Sequence, residues 1–312
     1  ILIFIILTKI LINIYYKKEY NEESMFNKLI KEIHQSEKFT FDEIAKKLEK
    51  IIYNTNNFLD IIYNIGTIPE SIGHDTTEEK AFAKLSDIVL ARAFREIGLN
   101  SDVLKTRGNS ADVYAESKIH KYSLVADAKS FRMSRTAKNQ KDFKIDALSK
   151  WKKNEDYSIL CSPYFQYPRK KSQIYKQSLE KNVCLLSWEH LIFLIENKIE
   201  ENKYINLENI WNFGNLYSEK ISLKDSENNF FDNFNEKFCK TININNNKFN
   251  NTLINQIDII KNRSIKEKLY LENEINIIKN YTKEQAISEL IKSQKLEDRI
   301  KHIDDFIKKV QL

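Results

Sequence analysis

The sequence predicts an α/β fold, a sheet covered on its faces by helices, with further helices added at both ends. Three observations carry that expectation. Apolar residues recur at spacings of three and four up to residue 98; strand-like and helix-like segments then alternate between residues 111 and 188; and a helical pattern returns from residue 255 onward.

Each element has its own signal. Phe26, Leu29, Ile30 and Ile33, then Ile44, Leu48, Ile51 and Ile52, place two or three helices within residues 25–66. Thr40 with Glu43 three residues on has the spacing of a capping box. Gly66 and Pro69 punctuate the chain before a stronger helix. That helix has Thr76 or Thr77 as N-cap, Glu78 and Glu79 in its first turn, Phe82, Leu85, Val89, Leu90 and Phe94 along one side, and Gly98 at its end. Past the turn signal Arg107-Gly108-Asn109, ADVYA (111–115) and YSLVADAKSF (122–131) read as adjacent strands. A helix-prone stretch at 137–152, a strand at 157–162, a helix at 170–180, a strand at 183–188 and the helix EHLIFLIENKIEEN follow. The predicted organisation is an extension over 1–24, an N-terminal helical segment over 25–75, a core over 76–204 and a mainly helical region over 205–312, interrupted by the Asn-rich TININNNKFNN.

Composition removes several function classes. The 312 residues are 42% hydrophobic and 30% charged, a globular balance with a mild net charge of +6 that permits a polyanionic partner without demanding one. Three widely spaced cysteines argue against a disulfide framework or zinc knuckle and for a reducing compartment, here the cytoplasm. Five glycines form neither GxGxxG nor GxxxxGK[ST], so nucleotide-binding readings lose their main support. The opening ILIFIILTKILINIYY is shorter than the ~20 apolar residues of a spanning helix and carries Lys9 at its middle. No membrane association is expected, and residues 1–24 are expected to lie upstream of the natural start near Met25.

The chemistry concentrates in residues 108–144. Leu124, Val125 and Ala126 make a buried strand that two charged residues interrupt, and strand alternation puts Asp127 and Lys129 on one face. Asp112 leads the preceding strand, where a hairpin brings its carboxylate beside that of Asp127. Paired carboxylates repel one another unless a hard cation lies between them, and oxygen ligands suit Mg²⁺. Hydrolysis of a phosphodiester needs such a group, with a lysine beside it to orient or deprotonate water or to offset phosphate charge. Glu79 offers a further oxygen ligand, although the helix dipole alone favours an acid in a first turn. An ion pair at a strand end is the plain structural alternative for Asp127 and Lys129.

The same segment supplies a polyanion-binding pattern. Arg132, Arg135, Lys138, Lys141 and Lys144 follow Lys129, with Asn139 and Gln140 among them and Asp142 the one opposing charge. Lysine and arginine neutralise phosphates, while Asn, Gln and Arg read base edges, so the segment is expected to face double-stranded DNA. YFQYPRKKSQIYKQ (164–177) is a weaker basic patch, and Trp188 and His190 are expected to be packing residues.

Asp112, Asp127 and Lys129 match the PD-(D/E)xK nuclease pattern, with Ala111 where proline is usual. TTEEKAFAKLSDIVLARAF, TRGNSADVYA, LVADAKSFRMSRTAKNQKDFK, FQYPRKKSQIYKQSLEKNV and SWEHL, together with SENNF and FIKK, resemble the HindIII family of type II restriction endonucleases from about residue 25 to the C-terminus. The resemblance implies a restriction-endonuclease-like core of mixed sheet flanked by helices over 76–204. It implies a Mg²⁺-dependent homodimer that cuts AAGCTT after its first A, leaving 5′-phosphates and four-base 5′ overhangs. It implies Asp112 and Asp127 as metal ligands, Lys129 as the catalytic lysine, and a cognate DNA methyltransferase that protects the host's own sites. A repair or recombination nuclease of the same superfamily, or a DNA-binding protein without catalysis, is the alternative.

Overall fold

The structure, a computed structural model, describes residues 24–104, 110–135, 140–168, 172–218 and 229–310. Helices α1 (Met25–His34), α2 (Phe41–Asn54) and α3 (Phe58–Asn64) open the chain. The Thr40–Glu43 capping box at the start of α2 forms as the sequence predicts. Next, α4 (Thr77–Glu96) starts at Thr76, whose side chain accepts from the Glu79 backbone N–H. Its buried face, including Phe82, Leu85, Val89 and Phe94, has zero exposure, and each such side chain contributes roughly 1.5–3 kcal/mol by burial. Gly98 ends it in the left-handed region at φ 92°, where its missing side chain leaves room for the backbone of Glu201.

The strands are β1 (Asn100–Val103), β2 (Val113–Glu116) and β3 (Ser123–Ala128); after short helices α5 (Gln140–Phe143) and α6 (Ile145–Trp151) come β4 (Tyr157–Ser162), α7 (Gln173–Lys181), β5 (Val183–Ser187) and α8 (Trp188–Glu196). They form one five-stranded sheet in the order β1-β2-β3-β4-β5. β1 to β3 run as an antiparallel meander, whereas β3, β4 and β5 are parallel. Every residue of β4 and β5 is buried, as parallel strands covered on both faces require. Helix α4 packs against β1, β2 and β3, and α6 and α7 pack against β4 and β5. This is the mixed sheet flanked by helices that the sequence predicts.

Further helices follow: α9 (Glu208–Trp211), α10 (Phe213–Ser218), α11 (Phe230–Thr241), α12 (Asn246–Lys279), α13 (Lys283–Ser293) and α14 (Leu296–Val310). The chain groups into two compact units, the first extending to Ile259 and the second spanning Ile260–Leu312. The second unit is helical, and Thr282 and Gln285 close a capping box at the start of α13. Among the described residues no helix is long and apolar enough to cross a membrane; the apolar opening run lies outside them.

One element is absent from the sequence reading. β1 has the sequence NSDV and buries only Ser101 fully, so it carries no apolar alternation to reveal it. It is an edge strand, held by its pairing with β2 and by Arg95, which donates to the Ser101 carbonyl at 2.6 Å.

Candidate active site

The register of the β2–β3 hairpin sets the site. Val113 pairs with Ala126, which puts Asp112, one residue ahead of β2, level with Asp127 near the end of β3. The Asp112 backbone is fixed on both sides: its N–H donates to Ala126 at 3.3 Å, and its carbonyl accepts from Leu104 at 2.8 Å. Asp87 arrives from a different element. It sits on the face of α4 that packs against the sheet, at a position flanked by Leu85, Ser86, Ile88 and Val89, all buried. Ligand oxygens of Asp87, Asp112 and Asp127 lie within 4.8 Å of one another.

Burial makes this cluster electrostatically costly. Asp127 is 3% and Asp87 8% exposed, and Asp112 is half-buried. Burial and the neighbouring Asp127 carboxylate push Asp112 up to about 6. Burial, then the charges of Asp112 and Asp127, drive Asp87 well above the usual carboxylate range. Lys84 and Lys129 oppose both rises. Buried Asp127 Oδ2 accepts no hydrogen bond of good geometry among the described residues, although the Lys129 ammonium lies against it as an ion pair. Three converging carboxylates, one of them against the Lys129 ammonium, are a donor set suited to a hard divalent cation, which neutralises what the two lysines leave unbalanced.

Lys129 is held by its backbone. Its N–H donates to the Cys161 carbonyl of β4 at 2.7 Å, and its carbonyl accepts from the Trp188 indole Nε1 at 3.0 Å. Trp188 therefore does more than pack, since it clamps the peptide that carries the lysine. His190 is a packing residue as expected. It lies buried among Phe234, Phe238 and Phe249, bonds to Ser187 and Asn235, and is lowered by burial to about 3, so it stays neutral.

Two expectations need correction. Glu79 lies outside the carboxylate cluster: its Oε1 accepts from Arg132 Nη2 at 2.8 Å and its Oε2 from the Asp75 N–H at 2.9 Å. The third carboxylate is Asp87, whose one sequence signal was a lone acid amid the apolar run of α4. Arg132 does not face a ligand either. It is 3% exposed and donates to the carbonyls of Pro69 at 2.8 Å and Gly73 at 3.2 Å as well as to Glu79. Phe131 pairs with Thr67 as an isolated parallel bridge, so this stretch is docked onto the segment before α4.

The remaining predicted DNA-facing residues divide. Arg135 donates to Asp142 at 2.6 Å with its guanidinium 5.6 Å from the Phe131 ring centre. Gln140 and Lys141 lie on α5, and exposed Lys144 lines the same cavity as the triad. Lys138 and Asn139, like Arg169, Lys170 and Lys171, lie outside the described residues.

A mixed sheet with acids at the ends of adjacent strands, followed two residues on by a lysine, is the layout of the PD-(D/E)xK nucleases. The model of the HindIII restriction endonuclease family matches residues 25–307. The type II restriction enzyme HindIII of Haemophilus influenzae (strain ATCC 51907 / DSM 11121 / KW20 / Rd) is 46% identical over 292 residues, covering 93% of this chain and 97% of that enzyme. Among solved structures, restriction endonuclease FokI superposes with a TM-score of 0.32 at 13% identity, over 52% of this chain and 31% of that one. The chain belongs to the HindIII restriction endonuclease family, and with it to the site-specific deoxyribonucleases.

Proposed function

We propose that the protein is a type II restriction endonuclease that cuts both strands of the palindrome AAGCTT after the first A, leaving 5′-phosphates and four-base 5′ overhangs. The observation that carries this reading is the buried Asp87–Asp112–Asp127 cluster with Lys129 against it, in a chain 46% identical to a type II enzyme. The three carboxylates would hold Mg²⁺, which supplies Lewis-acid stabilisation of charge developing on the phosphate. Asp112 and Asp127 act as ligands fixed by the strand register, and Asp87 completes the set from α4. Lys129, its backbone clamped by Cys161 and Trp188, presents its ammonium where it orients the attacking water and offsets phosphate charge. Holding these groups in place before substrate arrives lowers the reorganisation that the reaction needs.

A palindromic target is matched by two-fold symmetry, so the working form is a homodimer with one such site for each strand. The partners are double-stranded DNA and, functionally, a methyltransferase that protects the same sequence in the host, which places the enzyme in the cytoplasm. Digestion of an unmethylated plasmid of known sequence tests the reading. Discrete fragments with AGCT 5′ overhangs, produced only with a divalent metal, are expected. Random or structure-selective nicking, or binding without cleavage at any Mg²⁺ concentration, would overturn it.

A further inference from the structure

The triad lies in a cavity of about 850 Å³ whose other walls come mainly from α2 and α4, with Val103 and Leu104 at the end of β1. The triad and the lysines around it lie at different depths. Asp87 and Asp127 are buried at the floor, whereas Lys46 of α2, Lys80 of α4 and Lys144 are exposed at the rim, and Lys84 of α4 is half-buried between the two levels. Lys80, Lys84 and Asp87 are spaced by four and three residues, so they share one helix face that climbs from rim to floor. Asp42 and Glu49 also line the α2 wall, which leaves α4 as the more uniformly cationic side.

Two of the basic residues that the sequence pointed to are occupied: Arg132 by Glu79 and two carbonyls, Arg135 by Asp142. Lys80 and Lys84, in contrast, make no ion pair with any described residue. Two ammoniums one helical turn apart repel each other, at a cost that a bound anion removes. Lys84 acts electrostatically on both Asp87 and Asp112, so a group that it holds lies within reach of the triad.

We propose that Lys84, with Lys80 one turn earlier, contacts backbone phosphates of the DNA strand being cut, and that the α4 face is the rail along which that strand reaches the carboxylates. The proposal rests on the DNA-cleaving reading and adds the residues that position the substrate. The test is equilibrium binding of an AAGCTT duplex in EDTA, where no cleavage intervenes, across salt from about 50 to about 200 mM. Wild type is compared with Lys80→Ala, Lys84→Ala, Lys84→Arg and, as a control away from the site, Lys240→Ala. Each of the first two variants should bind more weakly, with the slope of log K against log salt shallower by about 0.9. Lys84→Arg should restore the slope, and Lys240→Ala should match wild type. A wild-type slope for Lys84→Ala, in a protein that still binds, overturns this proposal alone. Absence of DNA binding and cleavage in wild type overturns the nuclease reading and this with it. If Lys84→Ala fails to fold, Lys84→Gln, which keeps most of the stem, carries the same comparison.

Discussion

Asp87, Asp112 and Asp127 differ in how much of each role the sequence discloses. Strand alternation alone puts Asp127 and Lys129 on one face, and a two-strand hairpin is enough to bring Asp112 beside them. Asp87 requires knowing which way α4 rolls onto the sheet, which is tertiary information. Asp127→Asn is expected to abolish cleavage while leaving duplex binding within severalfold of wild type, and Asp87→Asn should behave the same way. Gel-shift binding beside a cleavage assay reads both, and wild-type cleavage in either variant would remove that residue from the site. Glu79 makes the contrast. Because it serves Arg132 and the Asp75 N–H, Glu79→Gln should cost stability of about 1–3 kcal/mol while metal-dependent cleavage persists. Loss of cleavage in a variant that melts like wild type would return Glu79 to the metal site.

Elements with strong local chemistry were legible, and those held by pairing alone were not. The capping box at Thr40, the cap at Thr76 and the stop at Gly98 are all visible as residue types at fixed spacing. Strand β1 was not, because its four residues bury little and owe their conformation to β2 and Arg95. Gly98 is the joint between α4 and β1, and a Cβ there would sit 2.9 Å from the Glu201 carbonyl oxygen at a φ of 92°. Gly98→Ala should therefore destabilise by more than ~1 kcal/mol, measured by urea unfolding; a neutral change would show that the joint relaxes freely. At the start of α8, buried Glu189 accepts from the Tyr164 N–H at 2.8 Å, and burial raises its carboxyl from 4.5 to about 7. The folded protein keeps that proton up to about pH 7, whereas the unfolded chain releases it near 4.5. Between those values the native state binds more protons, so stability falls as pH rises and levels off beyond about 7. Glu189→Gln, neutral throughout, should flatten that decline and be the more stable protein at pH 8. An unchanged pH profile would show that Glu189 is not its source.

At the scale of the whole molecule, a mild charge of +6 hides an uneven distribution, with Asp87 and Asp127 buried deep in one cavity and Lys46, Lys80 and Lys144 exposed at its rim. Spacing alone does not separate basic residues spent inside the fold, such as Arg132, from those left exposed, such as Lys144, because both lie in the same segment. The uneven distribution has a thermodynamic consequence that needs no DNA. Three close carboxylates repel one another in the native state, and the unfolded chain separates them, so a divalent cation binds the folded form preferentially. Mg²⁺ at a hundredfold excess over its Kd should then stabilise the protein by about 2.7 kcal/mol, seen as a rise in Tm. Protons compete for the same oxygens, and Asp112 holds its proton up to about 6. The stabilisation should accordingly be large at pH 8 and small at pH 5, and it should vanish in Asp87→Asn and Asp127→Asn while surviving in Glu79→Gln. An equal Mg²⁺ effect in wild type and in both Asn variants would mean that the cation binds elsewhere, and the triad would then have to be read as a structural cluster.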